Sequence, residues 1–473
     1  MRVALLILAA STLFAEGPSL TNGDLRTWVG DVPDGWTVGV GAGRGEPASI
    51  VEPVEGGGLV LRGDASRRTW RIVSQPFAAQ EGDCVRLAFE AKVRDMKHEE
   101  GQFESGYVGI AYLDAEGKAI GVEVEDVVSS DWASDTCVAR APKGTGRGEV
   151  RIFLAQTGAL SVRSLAITRV AKEEAFDLLV AEMDRHYSHF DTSGVDWKAL
   201  TDRYREKAKA DFVPAVREML TEMMDLHISI RTASGETLPT FVDARPANYD
   251  FKAVAKRLQA PLQIGEIALY GRTTKGYGYF AIRTLRWGDS TWPDGTAVEI
   301  STALDGLIHA PGMIVDLRAN EGGDERKALW MASWFTSERR TYARTRVRGG
   351  TGHGDFAEVL PRVLDPRKEG TYACPVVCLI GPRCVSSGEG FAAMMKSIPG
   401  VVLVGQPTCG ASGNPRPLGL PNDVVVWYPR WQSLLPDGTP TEGKGIAPDV
   451  IVEQRGEGDP TFEAALKELS RDR

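Results

Sequence analysis

Apolar residues change their spacing twice along this chain. From about Ser19 to Val170 they come in short alternations, such as Gly58-Leu59-Val60-Leu61 and Val85-Arg86-Leu87-Ala88-Phe89, separated by Gly, Asp and Pro turns. That pattern predicts an all-β sandwich over residues 19–170. Near Ala171 the period becomes helical: Phe176, Leu179, Val180, Met183 and Tyr187 share one face of a helix running from Glu173 to Tyr187. Two more helices are expected, Trp197 to Ala208 with Asp196 as its cap, and Val213 to Leu226. Residues 171–235 thus form a helical lead-in. The stretch from Thr232 to Lys275 is less regular and holds Pro239, Pro246 and Pro261. After it, strand and helix alternate. Strands are expected at Gly278 to Leu285, Met313 to Arg318, Pro375 to Ile380, Val401 to Gly405 and Val424 to Tyr428. Helices are expected at Thr296 to His309, Glu325 to Trp334 and Ser387 to Ser397. Repeated βα units predict a mostly parallel sheet with covering helices across residues 236–473.

Composition narrows the function classes. A chain of 473 residues with 42% hydrophobic and 25% charged residues has room for several domains and a substantial core. A net charge of −9 argues against a nucleic-acid surface. There is no CxxC pair, no phosphate-binding glycine loop with its lysine and no HExxH, so no metal or other cofactor is expected. The N-terminus, MRVALLILAASTLFAEG, reads as a secretory signal peptide over residues 1–15. It implies a periplasmic or extracellular protein with no transmembrane anchor after cleavage. That compartment permits disulfides. Cys84 and Cys137 are a candidate pair, while Cys374, Cys378, Cys384 and Cys409 crowd around the region that carries the chemistry.

That region runs from Cys374 to Val450. A short apolar strand is followed by a Gly-Pro turn, then Ser386-Ser387-Gly388-Glu389, then an amphipathic run. A serine at a strand-to-helix junction sits where backbone N–H groups are unpaired and the helix dipole favours negative charge. Acyl transfer needs that location, because those amides can hold the oxyanion of a tetrahedral intermediate. Ser386 and Glu389 also make a capping box. Local pattern alone leaves both readings open.

Four motifs in order decide between them. The segments Gly312-Met313-Ile314-Val315-Asp316-Leu317-Arg318-Ala319-Asn320-Glu321-Gly322-Gly323, Ser386-Ser387-Gly388-Glu389, Val404-Gly405-Gln406-Pro407-Thr408-Cys409-Gly410 and Glu442-Gly443-Lys444-Gly445-Ile446-Ala447-Pro448-Asp449 resemble the serine peptidases of the C-terminal processing and tricorn group. The resemblance covers about Ala175 to Val452 and implies an α/β core of the ClpP/crotonase-like type. It implies Ser386 as nucleophile, with the amide of Ser387 and one from Gly322 or Gly323 as the oxyanion hole. C-terminal processing members use a lysine in Thr-Phe-Gly-Lys-Gly. The matching segment here is Thr408-Cys409-Gly410-Ala411-Ser412, with alanine in the lysine's place. The tricorn branch uses histidine and glutamate instead. Asp225-Leu226-His227-Ile228-Ser229-Ile230 fits its histidine motif, so the resemblance implies His227 as general base and Glu442 as the group that orients it.

His186 and His189 are read as lying on the first helix, and Asp316, Arg318 and Asp449 as structural. Thr232 to Lys275 is too short for a PDZ domain, so the loop Trp427-Tyr428-Pro429-Arg430-Trp431 is a candidate for substrate capture and is equally well read as packing. Leu20-Thr21-Asn22-Gly23-Asp24 with Pro33-Asp34-Gly35-Trp36 resembles the opening of galactose-binding-like sandwiches in carbohydrate-binding modules. The expectation is a secreted serine peptidase acting on peptide or protein. The alternatives are a catalytically inactive relative that binds a peptide or apolar ligand, and a carbohydrate-binding envelope protein.

Overall fold

A computed structural model describes residues 17–40, 50–63, 71–97, 106–154, 157–288, 294–357, 359–454 and 457–471. The expected signal peptide lies outside the described residues. The N-terminal part is a sandwich of two five-stranded antiparallel sheets. One sheet orders Ala133–Arg140, Cys84–Lys97, Thr157–Arg169, Leu59–Gly63 and Ile50–Pro53; the other orders Thr37–Val40, Arg71–Phe77, Arg147–Phe153, Gly106–Leu113 and Ala119–Val127. Leu59, Leu61, Val73, Leu87, Ile110, Val150 and Val162 fill the space between them. All six cysteines are free. Cys84 pairs in register with Arg140, and Cys137 with Leu87, so three positions of strand separate the two thiols and no bridge forms.

The lead-in holds helices at Ala175–His186, Trp197–Ala210 and Phe212–Thr221, with Asp196 capping the second through the Ala199 N–H. His189 is not on the first helix; the chain has already turned at Tyr187, whose backbone is extended. The third helix stops at Thr221, earlier than its apolar period suggests. Its last turn tightens, with Met223 N–H donating to Leu220 O, and Met224 then enters the left-handed region at φ +52°.

The core is built on a seven-stranded sheet in the order Leu258–Ile264, Ala268–Thr273, Gly278–Ile282, Met313–Asp316, Val376–Ile380, Val402–Gly405 and Val450–Ile451. From Gly278–Ile282 onward every pairing is parallel. The first three strands form an antiparallel meander, its first two strands within the stretch that looked irregular in sequence and its third the strand expected from Gly278. Its edge strand Leu258–Ile264 is buried only at its two ends, which leaves no alternation to read. The central strands are apolar throughout because both faces are covered. Met313, Val315, Cys378 and Ile380 meet the helices Gly295–Leu307, Glu325–Ala332 and Ser387–Ser397 on one side. Ile314, Val377 and Leu379 meet Phe251–Ala255 and Pro460–Leu469 on the other.

One buried ionic cluster ties this sheet to the last helix. Arg318 donates to both oxygens of Asp316 (2.9 and 2.6 Å), to Asp459 (2.6 Å) and to the Asn248 carbonyl (2.7 Å). Asp459 in turn caps the helix Pro460–Leu469 through the Phe462 N–H. Asp449 pairs with Lys396 at 3.0 Å and accepts from Leu403 N–H, so all three residues expected to be structural are held in the frame.

The sandwich is docked on the lead-in and on the strands that frame the site. Arg430 makes two bonds to Glu125 (2.9 and 2.5 Å), Arg416 bonds Asp126 (2.8 Å), and Thr136 donates to Glu182 (2.8 Å). Arg430 therefore belongs to this seam, the packing alternative rather than substrate capture. Trp431, next to it, does face the cavity described below.

Candidate active site

Ser386 stands at the turn between the buried strand Val376–Ile380 and the helix Ser387–Ser397. Its backbone is at φ +57°, ψ −124°. A residue with a β-carbon is strained there by about 1–3 kcal/mol, and such strain persists only where neighbours hold it. Here they do. Ser386 N–H faces Ala411 O at 3.2 Å and Glu389 Oε2 at 3.3 Å, and Val385 N–H donates to Asn320 O at 2.9 Å. Below the serine, a β-carbon on Gly322 would lie 2.8 Å from Ser386 Cβ, so only glycine fits. Ser386 itself makes no side-chain cap hydrogen bond. The turn presents a half-buried hydroxyl at a helix mouth, in the manner of a nucleophile elbow.

Two neighbouring backbone donors are unspent. Among the described residues, neither Ser387 N–H nor Gly323 N–H has an acceptor. They are locked together, because Ser387 Oγ donates to Gly323 O at 2.7 Å. Gly322, the other expected donor, is spent: its N–H donates to Asn320 Oδ1 at 2.9 Å. Asn320 is fixed in turn by Ile282 O at 3.0 Å.

Glu389 is a structural hub. Its buried carboxylate accepts from Thr408 Oγ1 (2.5 Å), Gly410 N–H (2.7 Å), Ala411 N–H (2.8 Å) and the serine's own amide. Thr408 Oγ1 also accepts from Ile446 N–H at 2.6 Å, so three sequence motifs converge on one carboxylate. Burial outweighs these donors and pushes the Glu389 carboxyl up to about 7. Glu389→Gln puts an NH2 against several N–H groups. Each donor left unmet costs about 1–3 kcal/mol. A fall in Tm together with slower chemistry at Ser386 is expected, read by thermal unfolding and a serine-directed probe.

Ala411 contributes only backbone here, and Lys396 is bound to Ala447 O and Asp449. Neither position offers Ser386 a lysine base. His227 is half-buried just beyond the turn that ends the lead-in; its N–H donates to Asp225 Oδ1 at 2.7 Å. The Nδ1 atom is buried without a partner among the described residues. Burial lowers its pKa below the usual 6.5, Asp225 opposes this, and the nearby charges of His189 and Arg286 reinforce it. Arg286 follows Leu285, whose N–H holds Gly322 O at 2.8 Å. No hydrogen bond joins His227 to Ser386 in this state.

Glu442 departs from expectation. It does not pair with His227. Its Oε2 accepts from Ser412 N–H (2.7 Å) and Ser412 Oγ (2.9 Å) and lies 3.7 Å from His189 Nε2. Burial, which outweighs the attraction of His189, pushes the Glu442 carboxyl up to about 8. His189 Nδ1 reaches Asp225 Oδ2 at 3.2 Å, and Tyr187 Oη donates to the same oxygen at 2.9 Å. The glutamate thus reaches the His227 turn through His189 and Asp225, two residues given no role by the motif reading. A signal was available in Asp225, an acid two positions before His227 at the end of an apolar helix.

The cavity over these groups is about 330 Å³ and is lined by Gly323, Ser386, Ser387, Ser412, Trp431 and Leu434 among others. Its wall includes Arg362, which bonds Glu325 and stacks on Trp431 with 5.3 Å to the ring centroid.

Comparison with known proteins bears on the family and the fold. The model of peptidase family S41 matches residues 276–452, and that of the tricorn protease C1 domain matches residues 169–225. The carboxy-terminal processing protease CtpA of Bacillus subtilis (strain 168) is 28% identical over 169 residues, 35% of this chain and 34% of that protein. The matched segment thus spans about a third of that relative's own length. The crystal structure of a putative peptidase from Parabacteroides merdae ATCC 43184 has a TM-score of 0.57 at 26% identity, covering 64% of this chain and 98% of that one. Among the described residues, no helix is long and apolar enough to cross a membrane. The elbow, the glycine loop and the lead-in all lie in the matched segments: residues 276–452 match peptidase family S41, and residues 169–225 before them match a tricorn-type C1 segment.

Proposed function

We propose that this chain is an exported serine peptidase that cleaves peptide bonds through an acyl-enzyme, with a histidine rather than a lysine as base. The observation that carries this reading is the held left-handed conformation of Ser386 beside two N–H groups without acceptors among the described residues. Ser386 Oγ attacks the peptide carbonyl carbon and gives its proton to the neutral imidazole of His227. The carbonyl oxygen, now an anion, is taken by Ser387 N–H and Gly323 N–H. The His227 imidazolium then protonates the departing amine, and a water repeats the sequence on the ester. Glu442 supports the base indirectly, through the contacts that fix its turn. The apolar stretch at the N-terminus supports export. The substrate is peptide or protein, held in the cavity beside Trp431. The docked sandwich holds the lead-in helix that precedes His189, through Thr136 and Glu182, and a sugar-binding role for it rests only on its opening motif.

The pH dependence tests the base. A protonated imidazole cannot accept the serine proton, so kcat/KM falls as pH drops through the His227 pKa. Because that pKa is lowered, the acid limb lies below 6.5. A profile of reporter-peptide hydrolysis from about pH 4.5 to 8 is expected to be flat near neutrality and to fall on the acid side. In His227→Ala, hydrolysis should vanish with the fold intact. Full activity in that variant would exclude His227 as base.

A further inference from the structure

Two carboxylates approach the same imidazole from opposite edges, and the family motifs account for neither contact. His189 is 1% exposed. Asp225 Oδ2 lies 3.2 Å from its Nδ1, and Glu442 Oε2 lies 3.7 Å from its Nε2. Each carboxylate also holds a piece of the site. Asp225 Oδ1 takes the backbone N–H of His227. Glu442 Oε2 takes both donors of Ser412, next to Ala411, whose carbonyl faces the Ser386 amide. The ring therefore links the Glu442 turn to the base-bearing turn.

The tautomer argument gives the ring its charge. Nδ1 must donate, because an ionised Asp225 is an acceptor only. Were Nε2 then bare, its lone pair would face the Glu442 carboxylate inside a dry pocket, and Nε2 has no other partner among the described residues. A proton on Nε2 removes that conflict and sets a cation between two like charges that burial would otherwise set against each other. We propose that His189 is a positioning residue, protonated on both nitrogens, whose imidazolium clamps the Asp225–His227 turn to the Glu442–Ser412 turn. This rests on the peptidase reading of the site.

The surroundings agree. Burial by itself would lower the His189 pKa, but Glu442 and Asp225 outweigh it and raise it. The other groups that face it are Tyr187, whose ring centroid is 5.6 Å away, the neighbouring His227, and Asp191, which is paired with Arg346 at 2.8 Å. None of these supplies a competing cation in contact with the ring.

The test is His189→Gln in the full chain, assayed for kcat and KM on a reporter peptide, for the labelling rate with a fluorophosphonate, and for Tm, each across pH. Glutamine fills similar space and keeps a donor but carries no charge. The expected result is a fall in kcat of about ten- to a hundredfold, the worth of a charge-assisted hydrogen bond, with KM little changed. The deficit should be full below the His189 pKa and shrink as pH rises through it and the wild-type ring loses its charge, and Tm should follow the same trend. Wild-type kcat and an unchanged pH profile would overturn the clamp. So would complete loss of labelling in His189→Gln while His227→Ala still labels, since His189 would then be the base itself. A wild-type protein that takes no label would refute the peptidase reading instead; the Tm difference against pH would still decide whether the ring bridges the two carboxylates.

Discussion

Ser386→Ala is expected to lower peptide hydrolysis by a factor on the order of 10⁶, with Tm within a degree or so of the parent. The size follows from the neighbours. Ser387 Oγ is committed to Gly323 O, and Ser412 Oγ to Glu442, so neither adjacent hydroxyl is free to take over the attack. The two N–H groups of the oxyanion hole remain in the variant and leave a residual rate above that of water. Fold should be unaffected because Ser386 makes its cap through the backbone and its side chain closes no cap bond. Turnover of an unstructured reporter peptide, measured beside thermal unfolding, checks both halves. Retained turnover would move the nucleophile elsewhere.

Arg318→Ala should have the largest effect on stability. The guanidinium is fully buried and is bound by Asp316, Asp459 and the Asn248 carbonyl. Asp316 also accepts from Tyr279 Oη at 2.7 Å, and Asp459 starts the final helix. Removing the cation leaves two carboxylates facing each other in a dry interior. Breaking a buried pair in this way costs about 3–5 kcal/mol. Denaturant unfolding followed at the core tryptophans should report that loss. A change below about 1 kcal/mol, the scale of a surface pair, would contradict this account of the cluster.

Much of this architecture is legible in the sequence, and the exceptions have physical causes. The helix Ser387–Ser397 and the strand Val376–Ile380 follow from a run buried on both faces that ends at a glycine turn. Glycine at 322 is required by contact with the nucleophile, and the motif shows it. What the motif cannot show is which of two adjacent amides is free. That depends on Asn320, whose side chain takes the first and leaves Gly323. The edge strand Leu258–Ile264 was hidden because five of its seven residues are exposed. The Glu442 contact was misplaced because motif order assigns residues to a site without stating which ring they touch. His189 sits 38 residues from His227 in sequence, and only the turn after the first helix brings it beside Asp225. The cysteine pair failed on register, which sequence spacing does not encode.

The most direct measurement is covalent trapping of the nucleophile. Fluorophosphonate attack by an activated serine expels fluoride and leaves a phosphonyl ester on Oγ, which peptide mass spectrometry assigns to a residue. A single adduct on Ser386, absent in Ser386→Ala and lost in His227→Ala, is the predicted result. Folded wild-type protein that takes no adduct, or takes it on another serine, would contradict the account.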